Sequence, residues 1–388
     1  MQSDSLNRGP KLSRAPIQAR KLAVGLLRLR YKRKIILLVV LSCLFLIMQF
    51  VFPQYLALES LYNNYVFRPF QSIRNLFFGL IYFSVGDFLY LVAFLVCIAV
   101  LIRWIYFLIR IRSYHHDLAH SFLNTFISFA FIYLLFFIGW GGNYYKPTLT
   151  KFWKLSAPKG DDRQNLLLYD QFLIGQLNQL APGFQGRDFK HVDDSSSVYF
   201  RKLVDSKTRL HHMRAKASLY GYFMQYMGIQ GYYNPFTGEA QVNGALPRFM
   251  LPFVVCHEMA HQSGIAAEDD ANLLSYSICS VAPDPAFRYS GYFNLWLYTH
   301  FRLKHIDSSQ ANNLFSCLNA LSKSQLDTLK AIRLKYRSGF SDFSSALYDS
   351  YLRLHHQKDG IGSYNNVALS AWALELRRRR GPMVISIP

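Results

Sequence analysis

Three stretches of the chain are apolar on every side and show neither helical nor strand alternation. Ile35 to Phe52 is 18 residues without a charge, directly preceded by Lys32-Arg33-Lys34. About 20 apolar residues cross a bilayer as a helix, so this run predicts a first span over 35–52. A secretory signal would have a shorter apolar region and a small-residue cleavage site, whereas this run continues into Pro53 and bulky residues. Leu76 to Ile102 is apolar apart from Asp87 and predicts a second span, about 83–105, ending at Arg103, Arg110 and Arg112. Ser121 to Tyr145 is a third uncharged stretch, closed by Trp140, Tyr144 and Tyr145 as interfacial aromatics and then Lys146-Pro147, and predicts a span over about 121–142. Backbone groups inside lipid must pair within their own segment, which makes all three helices.

After Lys146 the pattern becomes that of a globular domain, with Pro, Gly and charged residues at ordinary density. Apolar spacing predicts helices over Asn165–Leu180, Ser206–Gln225, Gln325–Tyr336 and Asn366–Arg378, and a helix beginning at Pro252. Pro182-Gly183, Gly186-Arg187 and 193–197 read as loops, and Gly228 to Gly238 as turn-rich. Glu239 to Asn243 alternates like a short strand. The expected organisation is a basic tail (1–34), a three-span membrane domain (35–145) and a mainly helical, α+β domain (146–388) with one short edge strand.

The net charge of +20 changes this picture only at one end. Arg8, Lys11, Arg14, Arg20, Lys21, Arg28, Arg30, Lys32, Arg33 and Lys34 face a single acid, Asp4, so nearly half the excess belongs to the tail. No nucleic-acid module accompanies the rest, and the charge is read as facing the lipid bilayer, with no nucleic-acid partner. Lys and Arg crowd before the first span and between the second and third, while only Arg68 and Arg74 lie between the first two. By the positive-inside rule the N-terminus and the loop near His115 are cytoplasmic, and the domain after Lys146 faces outward from the inner membrane, into a periplasm or the extracellular space. The Arg377 to Arg380 run is too far from the spans to alter this and reads as a solvated or headgroup-contacting helix end. The five cysteines form no disulfide framework, and a Cys256–Cys279 bridge stays open.

The chemistry is concentrated in Pro252 to Tyr276, which contains His257-Glu258-x-x-His261. On a helix the two imidazoles share one face with the carboxylate beside them, an arrangement suited to zinc and a water-activating base. With 12 His in the chain and Glu at only 59, 239, 258, 268 and 375, such a match arises by chance on the order of 0.005 times. Glu258 is the expected catalytic base, taking a proton from water and passing it to a leaving amine. A third ligand is needed. Gly264 can end the helix and turn the chain back, which makes Glu268 the expected ligand and Asn272, one turn later, its expected supporting residue for a histidine. Asp269 and Asp270 read as helix-start charges. If Glu239–Asn243 is an edge strand, Gln241, Val242 and Asn243 can line a peptide cleft. Tyr298, His300, Arg302 and Tyr364 are unranked candidates for oxyanion donation. The pairs His115-His116, His211-His212 and His355-His356 read as surface residues.

The strings Trp140-Gly141-Gly142-Asn143-Tyr144-Tyr145, Lys216-Ala217-Ser218-Leu219, Gly231 to Ala240 and Cys256 to Gln262 resemble a bacterial membrane-protein family known as domain of unknown function 3810. The resemblance covers nearly the whole chain and implies a zinc-peptidase-like domain. Glu268-x-x-x-Asn272 is similar to the gluzincin pattern, although the gap from His261 is shorter. His257-x-x-x-His261-x-x-Gly264 is similar to metzincins, with Ala267 where their third histidine stands. The resulting expectation is a membrane-anchored zincin-like metallopeptidase using Zn2+ on a peptide or protein substrate in the envelope. The rival is a non-catalytic zinc-binding envelope protein that binds a protein or cell-wall partner. An intramembrane protease is excluded because His257 lies in no span.

Overall fold

The computed structural model of the chain describes residues 17–203, 210–337, 339, 367–381, 383 and 385–388. Its first half runs through α1 (Ile17–Phe50), α2 (Leu56–Leu61), a π-helical turn (Tyr62–Phe67), α3 (Arg68–Gly79), α4 (Val85–Ile109) and α5 (Ile111–Gly139). Among the described residues, three segments are long and apolar enough to cross a membrane: Tyr31–Phe50 of α1, and the whole of α4 and α5. Only 6% of the first window and 11% of each of the others is buried. A soluble core helix would hide those faces, whereas a bilayer accepts them. The spans differ from expectation at their ends. Helix α1 extends back through the basic segment to Ile17, and the expected cytoplasmic loop near His115 is helical, with a break in α5 at Tyr114 (φ −120°, ψ 15°).

The chain divides into two compact units, one of residues 1–55 and 95–135 and the other of residues 56–94 and 136–388. In the first, polar side chains join the helices: Lys34 Nζ donates to Asn124 at 2.7 Å, Tyr133 to Gln49 at 3.1 Å, and Trp104 Nε1 to Ser121 at 3.0 Å. Such contacts bind helices where no hydrophobic effect separates them from lipid.

The second unit carries the globular domain: α6 (Leu149–Phe152), α7 (Asp162–Leu180), α8 (Phe189–Leu203), β1 (Ala215–Ala217), α9 (Gly221–Met227), β2 (Gly231–Asn234), β3 (Glu239–Val242), α10 (Leu251–Gln262), α11 (Glu268–Cys279), α12 (Pro285–Ile306), α13 (Ser308–Ser316) and α14 (Ala320–Lys335), then a C-terminal helix, Val367–Arg378. Local chemistry sets several of the starts. Asp161, Asp284 and Asn319 accept from backbone N–H groups in the first turns of α7, α12 and α14, and Pro stands in the first turn of α10 and α12. Helices α7, α10, α11, α12 and the C-terminal helix bury the main core around Tyr169, Val255, Tyr276, Phe293 and Trp372. Arg378, expected to be solvated, donates to Ser280 at 2.8 Å and to the Ser277 carbonyl at 2.9 Å.

Three sequence expectations change here. Segment 193–197 is not a loop but the middle of α8, because the carboxylate of Asp193 accepts from Ala215 N at 2.8 Å and holds the helix against β1. The helix expected over Ser206–Gln225 is, in its described part, strand β1 followed by the shorter α9. The strand order is β1-β3-β2, parallel between β1 and β3 and antiparallel between β2 and β3. The expected edge strand is therefore the central one. Gln241, Val242 and Asn243 are fully buried, and β3 has partners on both sides, so its backbone has no free edge for a peptide. The edge on this side is β2.

Residues 56–84, expected among the spans, contribute α3 to the globular unit. Arg74 donates to the carbonyls of Pro235 and Gly139, Gln71 Nε2 to Gly238 O at 2.8 Å, and Asn75 to His211 O at 3.0 Å. Residues 56–84, before α4, and those after 139, beyond α5, thus pack together in one unit. The start of α4 is gripped as well. Glu239 accepts from Val85 N at 3.3 Å and Gly86 N at 2.6 Å, which suits a carboxylate at a helix N-terminus, and it pairs with Lys216 Nζ at 2.6 Å. Both partners are buried. Asp87 accepts from Ser218 Oγ at 3.1 Å, Leu219 N at 2.6 Å and the Tyr232 hydroxyl.

Removing one member of a buried pair strands the other charge, at a cost of about 3–5 kcal/mol. Lys216→Met is expected to lower stability by about that amount in thermal unfolding of detergent-solubilised protein, and the Lys216→Met/Glu239→Gln double variant to recover part of it. A neutral Lys216→Met would show that the pair does not hold α4.

Candidate metal centre

Helix α10 is buried nearly all round, so its motif is fixed by core packing on both sides. Phe253, Val254 and Val255 fill the core, which turns His257, Glu258 and His261 toward the sheet and α11. The helix ends at Gly264, whose φ of +92° lies in the left-handed region. A Cβ there would come within 2.4 Å of the Phe67 ring and 2.8 Å of Lys146 Nζ, so both the conformation and the space require glycine. Lys146 Nζ donates to the Gly264 carbonyl at 3.1 Å and lies 5.0 Å from the Phe67 ring centre. After this turn α11 opens with Glu268, Asp269 and Asp270 in its first turn, where negative charge is favoured.

The turn brings Glu268 onto the two histidines. His257 Nε2 and His261 Nε2 are 3.2 Å apart, Glu268 Oε2 is 3.2 Å from His257 Nε2, and Glu268 Oε1 is 3.5 Å from His261 Nε2. Ligands about 2.0–2.1 Å from a tetrahedral ion stand roughly 3.3 Å from one another, so the three donors are spaced as such a site requires. His261 Nδ1 is 2.7 Å from the Ile265 carbonyl, which leaves Nε2 to face the cluster. Among the described residues this is the group of three His, Cys, Asp or Glu donors whose ligand atoms lie within 4.8 Å of one another. The donor set fits a borderline cation such as zinc.

Within the buried cluster these groups polarise one another. Burial pulls the His261 imidazole down, but Glu268 more than offsets this and holds it up at about 9. Burial pushes the Glu268 carboxyl up, and the two histidines bring it well below the usual carboxylate range. Glu258 is not one of the three clustered donors. Its carboxyl is pushed up by burial to about 7 despite the histidines, and its Oε2 is buried without a hydrogen-bond partner. Its other oxygen lies against β2, where a Cβ on Gly231 would be 2.5 Å from Oε1.

The remaining expected residues separate. Asn272 is buried beneath the site, but its amide nitrogen has no partner and neither imidazole bonds to it; the Ile265 carbonyl takes the supporting role expected of Asn272. Asp270 accepts from Leu149 N at 3.0 Å, so it ties α11 to the chain after α5. His300 is buried and 3.0 Å from Asp170, and Arg302 pairs with Asp162 at 3.0 Å, so both are engaged between α12 and α7. Tyr298 does approach the cluster, where burial and then the charges of Glu268 and Asp269 push its phenol upward and keep it protonated. Tyr364 and His355-His356 lie outside the described residues. Cys256 and Cys279 are buried free thiols.

Sequence reasoning did not find Gly231, Ile265 or Trp140. The Trp140 ring stands edge-on to His261 at 6.2 Å between centres and 4.3 Å from the Tyr233 ring. Trp140 and Gly231 lie in strings that carry the family resemblance, which was the available signal. The Ile265 carbonyl left none, because a backbone acceptor has no residue type.

The described residues define a mostly helical protein with three long apolar helices near the N-terminus, a small sheet and a buried His-His-Glu cluster. Residues 62–369 match the model of the family described as Protein of unknown function (DUF3810), and the chain belongs to that family. No curated protein and no solved structure matches it.

The geometry separates the three acids of α11. Glu268→Ala is expected to lower zinc affinity at least 100-fold in competition with a chelator, whereas Asp269→Ala is expected to leave it within a few-fold. Asp270→Ala should retain the metal and lose stability instead, since Leu149 N is left buried at a cost of about 1–3 kcal/mol. Loss of metal from the Asp270 variant alone would move the carboxylate ligand two residues along α11, from Glu268 to Asp270.

Proposed function

We propose that the chain is a membrane-anchored, zinc-dependent metallopeptidase with a zincin-like catalytic domain, in which His257, His261 and Glu268 hold the ion and Glu258 is the general base. The observation that carries this reading is the partnerless, buried Oε2 of Glu258 beside three donors at 3.2 to 3.5 Å from one another. Bound zinc would supply Lewis acidity toward a peptide carbonyl and a lowered pKa for the attacking water. Glu258 takes a proton from that water and delivers it to the leaving amine nitrogen. Tyr298, kept protonated, donates to the carbonyl oxygen as negative charge develops on it. Strand β2, not β3, offers the open edge for an extended peptide, and Gly231 on that strand touches Glu258. The positive-inside bias supports an outward-facing domain, and hence a peptide or protein substrate in the envelope. A zinc site with only a structural role, as in the rival reading of a non-catalytic envelope protein, closes around four protein ligands, and three donors plus an unliganded carboxylate favour the enzyme.

Glu258→Gln is expected to retain about one zinc per chain by elemental analysis while cleavage of a randomised peptide library falls about 10²- to 10⁴-fold. Undiminished cleavage by the pure variant would remove Glu258 from this role.

A reporter active only outside the cytoplasm is expected to be on when fused after Lys146 and off when fused near His115. Reversed signals would turn the domain inward.

A further inference from the structure

We infer that α3 is a lipid-binding surface of its own, lying in the plane of the membrane with its apolar face among the lipids of one leaflet. The inference does not depend on the metallopeptidase reading. Its basis is that α3 is amphipathic in the inverted sense. The side chains it buries are Gln71, Arg74 and Asn75, whereas Phe70, Ile73, Leu76 and Phe77 are exposed, Phe77 at 65%. These positions fall three and four residues apart and so form one stripe, which Leu80, exposed at 82%, continues beyond the helix. No charged residue is exposed between Pro69 and Phe83. Helix α8 of the same unit shows the ordinary sense, with Val192 and Phe200 in the core and Lys190, Asp194 and Arg201 outside.

The polar face fixes which way the helix is turned. Besides the bonds of Arg74, Gln71 and Asn75 to backbone carbonyls, the Tyr233 hydroxyl donates to Gln71 Oε1 at 2.8 Å. Gln262, the residue after His261, donates to Asn75 Oδ1 at 3.2 Å. Rotating α3 to bury its stripe would break all of these, so the stripe must find an apolar medium outside the unit. Chain connectivity says which one. Five residues, 51–55, separate α1 from α2, and five, 80–84, separate α3 from α4, so each end of 56–79 is tied to a span by a linker of at most about 20 Å. Between the stripe and α4, Tyr82 and Phe83 are exposed, and on α4 the exposed apolar surface resumes at Phe88 and continues through Phe94. The 12 residues of α3 rise only about 18 Å, short of the roughly 30 Å of a hydrocarbon core, so the helix lies along the surface and does not cross. Tyr65 and Tyr82, exposed before and after the stripe, are the residue type that settles at headgroup level.

The test uses the full-length protein in vesicles of phosphatidylethanolamine and phosphatidylglycerol, with photoreactive p-benzoylphenylalanine in place of Phe70 or Phe77. Both rings are exposed, so the larger side chain disturbs no packing. The same label in place of Phe94 on α4 is the lipid-facing reference. In place of Phe301 on α12, beside Arg302 and Lys304, it is the reference for a solitary exposed ring. On irradiation a benzophenone inserts into a C–H bond of whatever touches it, and mass spectrometry of the labelled peptide then identifies the occupant. The expected result is a phospholipid adduct at both stripe positions, within about threefold of the yield at Phe94 and at least about tenfold above that at Phe301. Products joining the stripe mainly to residues 1–55 or 95–135 of the same chain would show that its own spans cover it. Crosslinked dimers as the main product would show a second copy there. Lipid adducts no more frequent than at Phe301, or none, would leave the stripe to water. Each of these three results would overturn the inference.

Discussion

The left-handed turn at Gly264 is the constraint on which the candidate site depends. Two helices that cross in a core do not by themselves place a carboxylate against two imidazoles, because the register of the second helix is free until the connection fixes it. Here the connection is only 263–267, and it must reverse direction immediately below His261. It does so with one residue at φ +92°, in a space already filled by Phe67 and Lys146. The Ile265 carbonyl then orients the His261 ring and Glu268 falls at the first position of α11, at the positive end of that helix. Turn, ligand orientation and carboxylate placement are thus one local event. The residues that brace it come from before α3 and after α5, so the turn is shaped partly by segments that lead into and out of spans.

The sheet is joined to α4 by a second set of contacts of a different physical kind. Burying Lys216 and Glu239 is costly in isolation. The cost is offset because Lys216 also donates to the carbonyls of Phe78 and Phe83, and Glu239 also accepts from the first N–H groups of α4. Every group in this cluster answers an unpaired backbone group of the loop before α4 or of its N-terminus. Asp87, the one charge that interrupts the second apolar stretch, belongs to the same arrangement. It is not a flaw in a span but the residue by which the span start is bound to β1, β2 and the chain after β1.

What could be read in advance follows from the range over which each signal acts. The spans and α10 are local: a run of apolar residues and an i, i+4 pair declare themselves within a window of twenty residues. Glu268 was legible for the same reason, being a few residues beyond the helix it complements. The order of the sheet was not, since the parallel partner of β3 is β1, more than twenty residues earlier, and nothing in EAQVN distinguishes a strand paired on one side from one paired on two. The stretch over 206–225 has helical spacing, yet Ala215 to Ala217 is drawn into the sheet by Asp193 and by β3, a tertiary effect that overrides local pattern. His300 and Arg302 have the right chemistry for an oxyanion donor, but α12 faces α7 at those positions, and their acidic partners are on a helix far away in sequence.

The distribution of unsatisfied polar atoms bears on why such a cluster persists in a core. His257 Nδ1, Glu258 Oε2 and Asn272 Nδ2 are all buried without a partner, within one helical turn of the cluster on α10 or α11. Each such group costs about 1–3 kcal/mol, and their positions could be filled by apolar residues at a gain in stability. Elsewhere in the same unit some comparable groups are answered, as at Lys216, Glu239 and Asp87, and others are not, among them Arg74 Nε, Asp170 Oδ1, Thr237 Oγ1 and Trp296 Nε1. The group around His257 and Glu258 is therefore set apart not by having unanswered polar atoms but by having them beside three closely spaced His and Glu donors.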